Sequence, residues 1–148
     1  MCIRDRLSNS SYEIYCKKLK SIKKISTKEF PGYPTDLQAQ LIATQLKSGL
    51  KSKVVENIFE NRFIHIPELR RFGANLSIKG NTVTIDKTSN LLGAEVMATD
   101  IRASFSLIIA AMMSKGKTVI NRIYHLDRGY EDFDLKLKKC GVNISRKK

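Results

Sequence analysis

A chain of 148 residues, 42% of them hydrophobic, is long enough to bury a core and short enough to be one domain or part of one. Its 27 Lys and Arg against 14 Asp and Glu give a formal net charge of +13, which favours nucleic acid, an acidic membrane surface or phosphorylated small molecules as partners. No apolar run approaches the roughly 18 residues of a membrane span, and three widely spaced cysteines without a Cys-x-x-Cys pair fit a reducing compartment, the cytoplasm, better than a disulfide framework.

The opening Met-Cys-Ile-Arg-Asp-Arg lacks the apolar run of a secretory signal, and residues 1–11 read as a ragged, non-native start. Alternation predicts a strand over Tyr12–Cys16. The Lys-rich stretch 17–28 reads as an exposed connection with room for a strand at Ile22–Ile25, so that 12–28 is the remnant of a preceding unit. Phe30-Pro31-Gly32-Tyr33-Pro34 is a rigid loop. Thr35 or Asp36 then caps a helix that carries Ala39, Ile42, Ala43 and Leu46 on one face and stops at Ser48-Gly49. A strand over Ser52–Glu56, a helix over Phe63–Phe72 stopped by Gly73, and a hairpin of Asn75–Ile78 with Thr82–Ile85 follow. Beyond it the pattern predicts strand Ala94–Met97, helix Asp100–Ser114, strand Thr118–Asn121, helix Gly129–Lys139 and strand Val142–Ser145.

These elements occur twice. Thr35-Asp36-Leu37-Gln38-Ala39 returns as Thr99-Asp100-Ile101-Arg102-Ala103. Lys53–Phe59 returns as Lys117–Tyr124 with one insertion, and Leu69–Ser77 returns as Leu137–Ser145. The offset drifts only from 64 to 68 residues, longer than the 20–50 of a solenoid or propeller repeat. The chain is therefore read as two β-α-β-α-β-β units, 29–92 and 93–148.

Places where the copies differ are candidate functional positions. Arg102 stands in the first turn of its helix, against the helix dipole, where the first copy has Gln38. Two readings stand: an ion pair with a neighbour such as Asp100, or a guanidinium set beside helix-terminal amides to grip a carboxylate or phosphate. Asp36 and Asp100 are both accounted for as N-caps, yet only Asp36 follows a proline-stiffened loop. Arg62 and Arg128 each follow the second strand of their copy, where α/β folds place ligand groups. Phe59 and Tyr124 end equivalent strands and read as core, with Phe59 also placed to border a pocket beside Arg62. His65 and His125 read as hydrogen-bonded structural histidines, and Lys136, Lys138 and Lys139 as a solvated face. No Gly-rich phosphate loop, Ser-His-Asp order or metal-ligand spacing is present, and the basic stretch lacks the interleaved aromatics of a single-strand nucleic-acid binder.

Four segments carry a resemblance: Phe30–Gln40 (Phe-Pro-Gly-Tyr-Pro-Thr-Asp-Leu-Gln-Ala-Gln), Ile58–Phe63 (Ile-Phe-Glu-Asn-Arg-Phe), Val96–Ala103 (Val-Met-Ala-Thr-Asp-Ile-Arg-Ala) and Arg122–Glu131 (Arg-Ile-Tyr-His-Leu-Asp-Arg-Gly-Tyr-Glu). Together they resemble the UDP-N-acetylglucosamine enolpyruvyltransferases of bacterial peptidoglycan synthesis, from about Tyr12 to the C-terminus. The resemblance implies an α/β fold, the inside-out α/β barrel of such a lobe, of which this chain holds two repeat units and the tail of a third. It implies phosphoenolpyruvate and UDP-N-acetylglucosamine as substrates, no cofactor, and the N-terminal lobe of the same polypeptide as partner, with no membrane or nucleic acid. Asp36 matches the aspartate that meets the attacking sugar hydroxyl, as base or as orienting group. Ile58 matches the position whose backbone meets the UDP-sugar, with Phe59 beside it. Arg102 and Arg128 match arginines that contact phosphoenolpyruvate, while Arg62 and Asp100 match neighbours that shape the site. The proton-donating cysteine belongs to the other lobe, and Cys2, Cys16 and Cys140 match no such motif, so the chain alone is expected to be inactive. The alternatives are the 3-phosphoshikimate enolpyruvyltransferases, which share the architecture, and a free-standing basic module for anions or nucleic acid.

Overall fold

In the computed structural model, residues 19–147 are described, together with the backbone of β1 (Cys2–Arg6) and β2 (Tyr12–Cys16), which pair antiparallel. The strand expected over Tyr12–Cys16 is β2. Readings that depend on the side chains of residues 1–18, including Cys2 and Cys16, lie outside the described residues.

A four-stranded sheet in the order β3-β4-β6-β5 joins strands of the segment 29–92 to one strand from 12–28, the stretch read as the remnant of a preceding unit. Strand β3 (Lys24–Ser26) runs parallel to β4 (Ser52–Val55), with Ile25 opposite Val54. A parallel pair needs a crossover, supplied here by a 3-10 turn (Thr35–Leu37) and α1 (Gln38–Gln45). Helix α2 (Ile66–Arg71) leads into the hairpin of β5 (Leu76–Lys79) and β6 (Thr82–Ile85), and β6 closes antiparallel on β4. The expected apolar face of α1 is the one buried: Ala39, Ile42, Ala43 and Leu46 are each at most 5% exposed. Val54, Val83 and Ile85 meet it from the sheet, as the alternation in Thr82–Ile85 requires.

The second unit repeats the crossover. Strand β7 (Glu95–Met97) runs parallel to β8 (Val119–Asn121), joined by α3 (Ile101–Met113). Helix α3 packs on α1, and Val96, Leu107 and Ala110 enter the same core as Ile42, Phe72 and Val83. One hydrophobic core thus spans both copies. A smaller cluster of Ile108, Leu126 and Phe133 holds α4 (Tyr124–Asp127) and α5 (Phe133–Lys139).

Three expectations are corrected. The helix over Phe63–Phe72 is confined to Ile66–Arg71: Pro67 occupies its first turn, where a missing N–H costs no helical bond, and Gly73 stops it at φ +82°. The helix over Gly129–Lys139 is confined to α5, Phe133–Lys139, after a turn in which Asp132 is left-handed at φ +47°, and the short α4 that precedes Gly129 was not expected. Gly129 in that turn packs so closely on Ile101 at the start of α3 that a Cβ there would push the Cδ1 end of that side chain aside. The strand over Val142–Ser145 is irregular, since among the described residues the second sheet is β7 and β8 alone and offers it no partner.

Candidate functional site

Crossovers α1 and α3 begin at the same end of their parallel strand pairs, so the loops entering them lie side by side. The acid at each start does different work. Asp100 is the expected N-cap: its Oδ1 accepts from the backbone N–H groups of Arg102 at 2.8 Å and Ala103 at 2.9 Å. Asp36 is not a cap, which corrects the reading from periodicity. Pro34 holds the cap position without any side-chain bond, and Asp36 lies inside the 3-10 turn with its side chain 63% exposed.

That carboxylate is gripped twice through one oxygen. Nη2 of Arg62 donates to Asp36 Oδ1 at 2.8 Å, and Nε of Arg102 lies 2.6 Å from the same atom. Of the two readings for Arg102 the ion pair is observed, but with the acid of the other copy rather than with Asp100. Oδ2 of Asp36 accepts no hydrogen bond from a described residue. The cluster holds two cations against one anion and faces solvent, so it attracts an anion.

Phe59 completes the cluster. Its ring lies under the Arg62 guanidinium, 4.5 Å from Cζ to centroid, and it is 55% exposed. The core reading of Phe59 and Tyr124 is therefore corrected: both rings are half-exposed, and Tyr124 instead accepts from Arg122 at 2.6 and 3.0 Å. The cause is local, because β4 ends at Val55 and β8 at Asn121, before either ring. Ile58 is partly exposed beside Phe59.

The loop holding Ile58, Phe59 and Arg62 is fixed by Glu56, which the motifs do not single out. Its carboxylate is buried, 2% exposed, and among the described residues it pairs with no cation. Oε1 accepts from Oγ1 of Thr27 at 2.8 Å and from the N–H groups of Ile58 at 2.9 Å and Phe59 at 3.2 Å. Oε2 accepts from Oγ1 of Thr35 at 2.8 Å. Burial alone pushes this carboxyl up, but the Ile58 amide, the two threonine hydroxyls and the Phe59 amide together hold it below the ordinary glutamate value. The sequence signal was alternation: Ser52, Val54 and Glu56 share the inward face of one strand, and an acid there needs partners.

The remaining candidates lie apart from this cluster. Arg128 is exposed and joins neither Asp36 nor any ion pair among the described residues; it borders an open concavity of about 710 Å³ with Tyr130, Glu131 and Arg146. Arg146 is fixed there by Asp127 at 2.8 and 3.0 Å and by Asp134 at 3.1 Å. His65 is structural but not fully bonded, since its buried Nε2 has no partner; the same holds for Nε2 of His125. Burial pushes His65 down to about 4, partly opposed by the charge of Asp100. Lys136, Lys138 and Lys139 are exposed as expected, and Cys140 is free and exposed. Among the described residues no helix is long and apolar enough to cross a membrane.

The family model described as EPSP synthase (3-phosphoshikimate 1-carboxyvinyltransferase) matches residues 5–137. The UDP-N-acetylglucosamine 1-carboxyvinyltransferase of Pelagibacter ubique is 56% identical over 130 residues, 88% of this chain and 31% of that protein. The enzyme of the same name from Rhodopseudomonas palustris (strain TIE-1) is 57% identical over 122 residues, 82% of this chain and 28% of that protein. Among solved structures, the enolpyruvyl transferase NikO from Streptomyces tendae superposes with a TM-score of 0.83 at 25% identity, covering 97% of this chain and 33% of that one. The chain thus spans about a third of the length of the relatives it matches.

Proposed function

The chain belongs to the EPSP synthase family, and from that premise we propose that it carries one wall of a site moving the enolpyruvyl group of phosphoenolpyruvate to the 3′-hydroxyl of UDP-N-acetylglucosamine. In that reaction the hydroxyl gives up its proton to a base as its oxygen bonds to C2 of phosphoenolpyruvate, and C3 gains a proton from an acid. The C3 proton and inorganic phosphate then leave, which restores the double bond. The phosphate gathers negative charge as it departs, and cations fixed beforehand stabilise it while also holding the standing charge of the carboxylate. Arg62 and Arg102 are such cations.

Asp36 is the group that meets the sugar. Both guanidinia occupy Oδ1, so Oδ2 is left to accept the 3′-hydroxyl and aim its oxygen at C2. The backbone at Ile58 and the face of Phe59 border the UDP-sugar. Asp100 works through the helix, capping α3 so that Arg102 is presented at its first turn. Arg128 reaches phosphoenolpyruvate from its own loop. The remaining groups, including the proton donor to C3, come from the rest of a two-lobed enzyme made in the cytoplasm for cell-wall synthesis. The observation that carries the reading is the single carboxylate oxygen shared by two arginines from different repeat units.

A chimera tests it. Residues 19–147 replace the matching segment of the Pelagibacter relative, and phosphate release from phosphoenolpyruvate is followed. Release that depends on UDP-N-acetylglucosamine supports the proposal. A folded chimera that turns over only with shikimate 3-phosphate, or with neither acceptor, overturns it.

A further inference from the structure

Glu56 is a buried carboxylate with four donors and, among the described residues, no counter-cation, and it lies directly behind the exposed cluster. The donors come from three segments. Thr27 follows β3, Thr35 opens the turn that holds Asp36, and Ile58 and Phe59 begin the loop that holds Arg62. Thr27 is itself fully buried and ties the same segments again, its Oγ1 accepting from the N–H of Asn57 at 2.9 Å and its N–H donating to the Val55 carbonyl at 2.9 Å.

We propose that Glu56 is a positioning residue, bridging the loop of Asp36 to the loop of Arg62 so that both side chains meet at the spacing the acceptor hydroxyl needs; this rests on the transferase reading above. The physical case is one of alternatives. A core residue of the same volume would fill the space without a charge, and burying a charge is costly. An apolar side chain, however, cannot fix where two irregular loops stand relative to each other. A carboxylate can, because each oxygen takes donors in defined directions. Here Oε2 faces only the Asp36 side, and Oε1 faces the Arg62 side together with Thr27. The two functional side chains emerge next to those anchors: Asp36 adjoins Thr35, and Phe59 supports the Arg62 guanidinium.

The test uses the 148-residue chain itself and needs no substrate. In the parent chain the Arg62 guanidinium is expected to give resolved Nη–H resonances, because its bond to Asp36 slows rotation and solvent exchange. Thr35→Val removes only the Oε2 anchor and is expected to broaden them to the mobile-arginine position. Glu56→Gln keeps an acceptor oxygen for both amides and a donor for Thr35, and is expected to retain them. Amide signals of β4 and β6 report that each variant is folded; should Glu56→Ala fail to fold, Thr35→Val still decides. Unchanged Arg62 resonances in folded Thr35→Val overturn the proposal, as does Glu56→Gln losing them as fully as Thr35→Val. In the chimera, Thr35→Val should lower kcat roughly 10²-fold, the cost of a displacement of about 1 Å, with KM for phosphoenolpyruvate little changed. A fall in thermal stability with kcat intact would make Glu56 merely structural and overturn the proposal too. A chimera inactive before any substitution bears on the transferase reading, whereas the resonance result stands by itself.

Discussion

Nε of Arg102 lies 2.6 Å from Oδ1 of Asp36, joining the first turn of α3 in one repeat unit to the turn before α1 in the other. The copies have divided their labour. Asp100 is consumed by capping its own helix, and the equivalent Asp36 is released from capping because Pro34 sets the entry to the turn. Where the second copy has Arg102, the first has Gln38, which is 1% exposed and turned into the protein. One copy supplies the acid and the other its second cation.

Asp36→Asn should separate function from stability. The pairs are largely exposed and contribute at most about 1 kcal/mol to folding, so the unfolding midpoint of the chain is expected to move little. Turnover in the chimera should fall at least roughly 10²-fold through lost orientation. Parallel urea denaturation and phosphate-release assays check both halves.

Arg102→Lys is not conservative here. The guanidinium presents Nε to Asp36 while its terminal nitrogens bond no described residue, and an ammonium offers one point charge in place of that fork. KM for phosphoenolpyruvate in the chimera is expected to rise about tenfold, and steady-state kinetics with varied phosphoenolpyruvate measure it.

Asp100→Ala removes the N-cap of α3 and should cost about 1 kcal/mol, within the usual range of roughly 0.5–2. Asp100→Ser should recover most of it, since a hydroxyl accepts from the same amides. Urea midpoints of the three proteins decide this.

His65 predicts acid sensitivity. Its value is about 4 in the fold against 6.5 ordinarily, so between those values the unfolded chain binds a proton that the folded chain refuses. Stability is therefore full above about 6.5 and falls as pH drops toward 4, by roughly 3 kcal/mol in all. His65→Leu should flatten that window. Glu56 acts lower: its carboxyl is held below the ordinary value, so its contribution is present above that value and fades as pH falls through the lowered one. Denaturation series from pH 7 down to 3 on the parent, His65→Leu and Glu56→Gln separate the two.

Much of this was legible in the chain. The buried face of α1 and the hairpin about Gly80-Asn81 follow from periodicity and turn chemistry, which are local, whereas the parallel pairing of β3 with β4 and of β7 with β8 depends on strands far apart in the chain. Asp36, Arg62 and Arg102 were all candidates. What periodicity cannot contain is their meeting, because a cap and a partnered carboxylate look alike until the neighbouring loop is in place. Glu56 was missed for the opposite reason: its importance comes from four donors scattered over three segments, and no short motif holds them. The end of the second unit departed most, where Gly129 answers to Ile101 on another helix and Val142–Ser145 lacks a strand to join.

The residue inserted in the second copy alters how the copies should be matched. Arg122 is that extra residue, held left-handed at φ +58°, and its guanidinium carbon lies 5.6 Å from the ring centroid of Tyr124. In the first copy the ring of Phe59 serves Arg62, three positions later. Counted along the chain, the counterpart of Arg62 is Arg128; counted by the ring each cation rests on, it is Arg122. Duplication has thus kept the cation-on-ring pairing while moving the residue that supplies it. Arg128 rests on neither ring and, among the described residues, joins no ion pair.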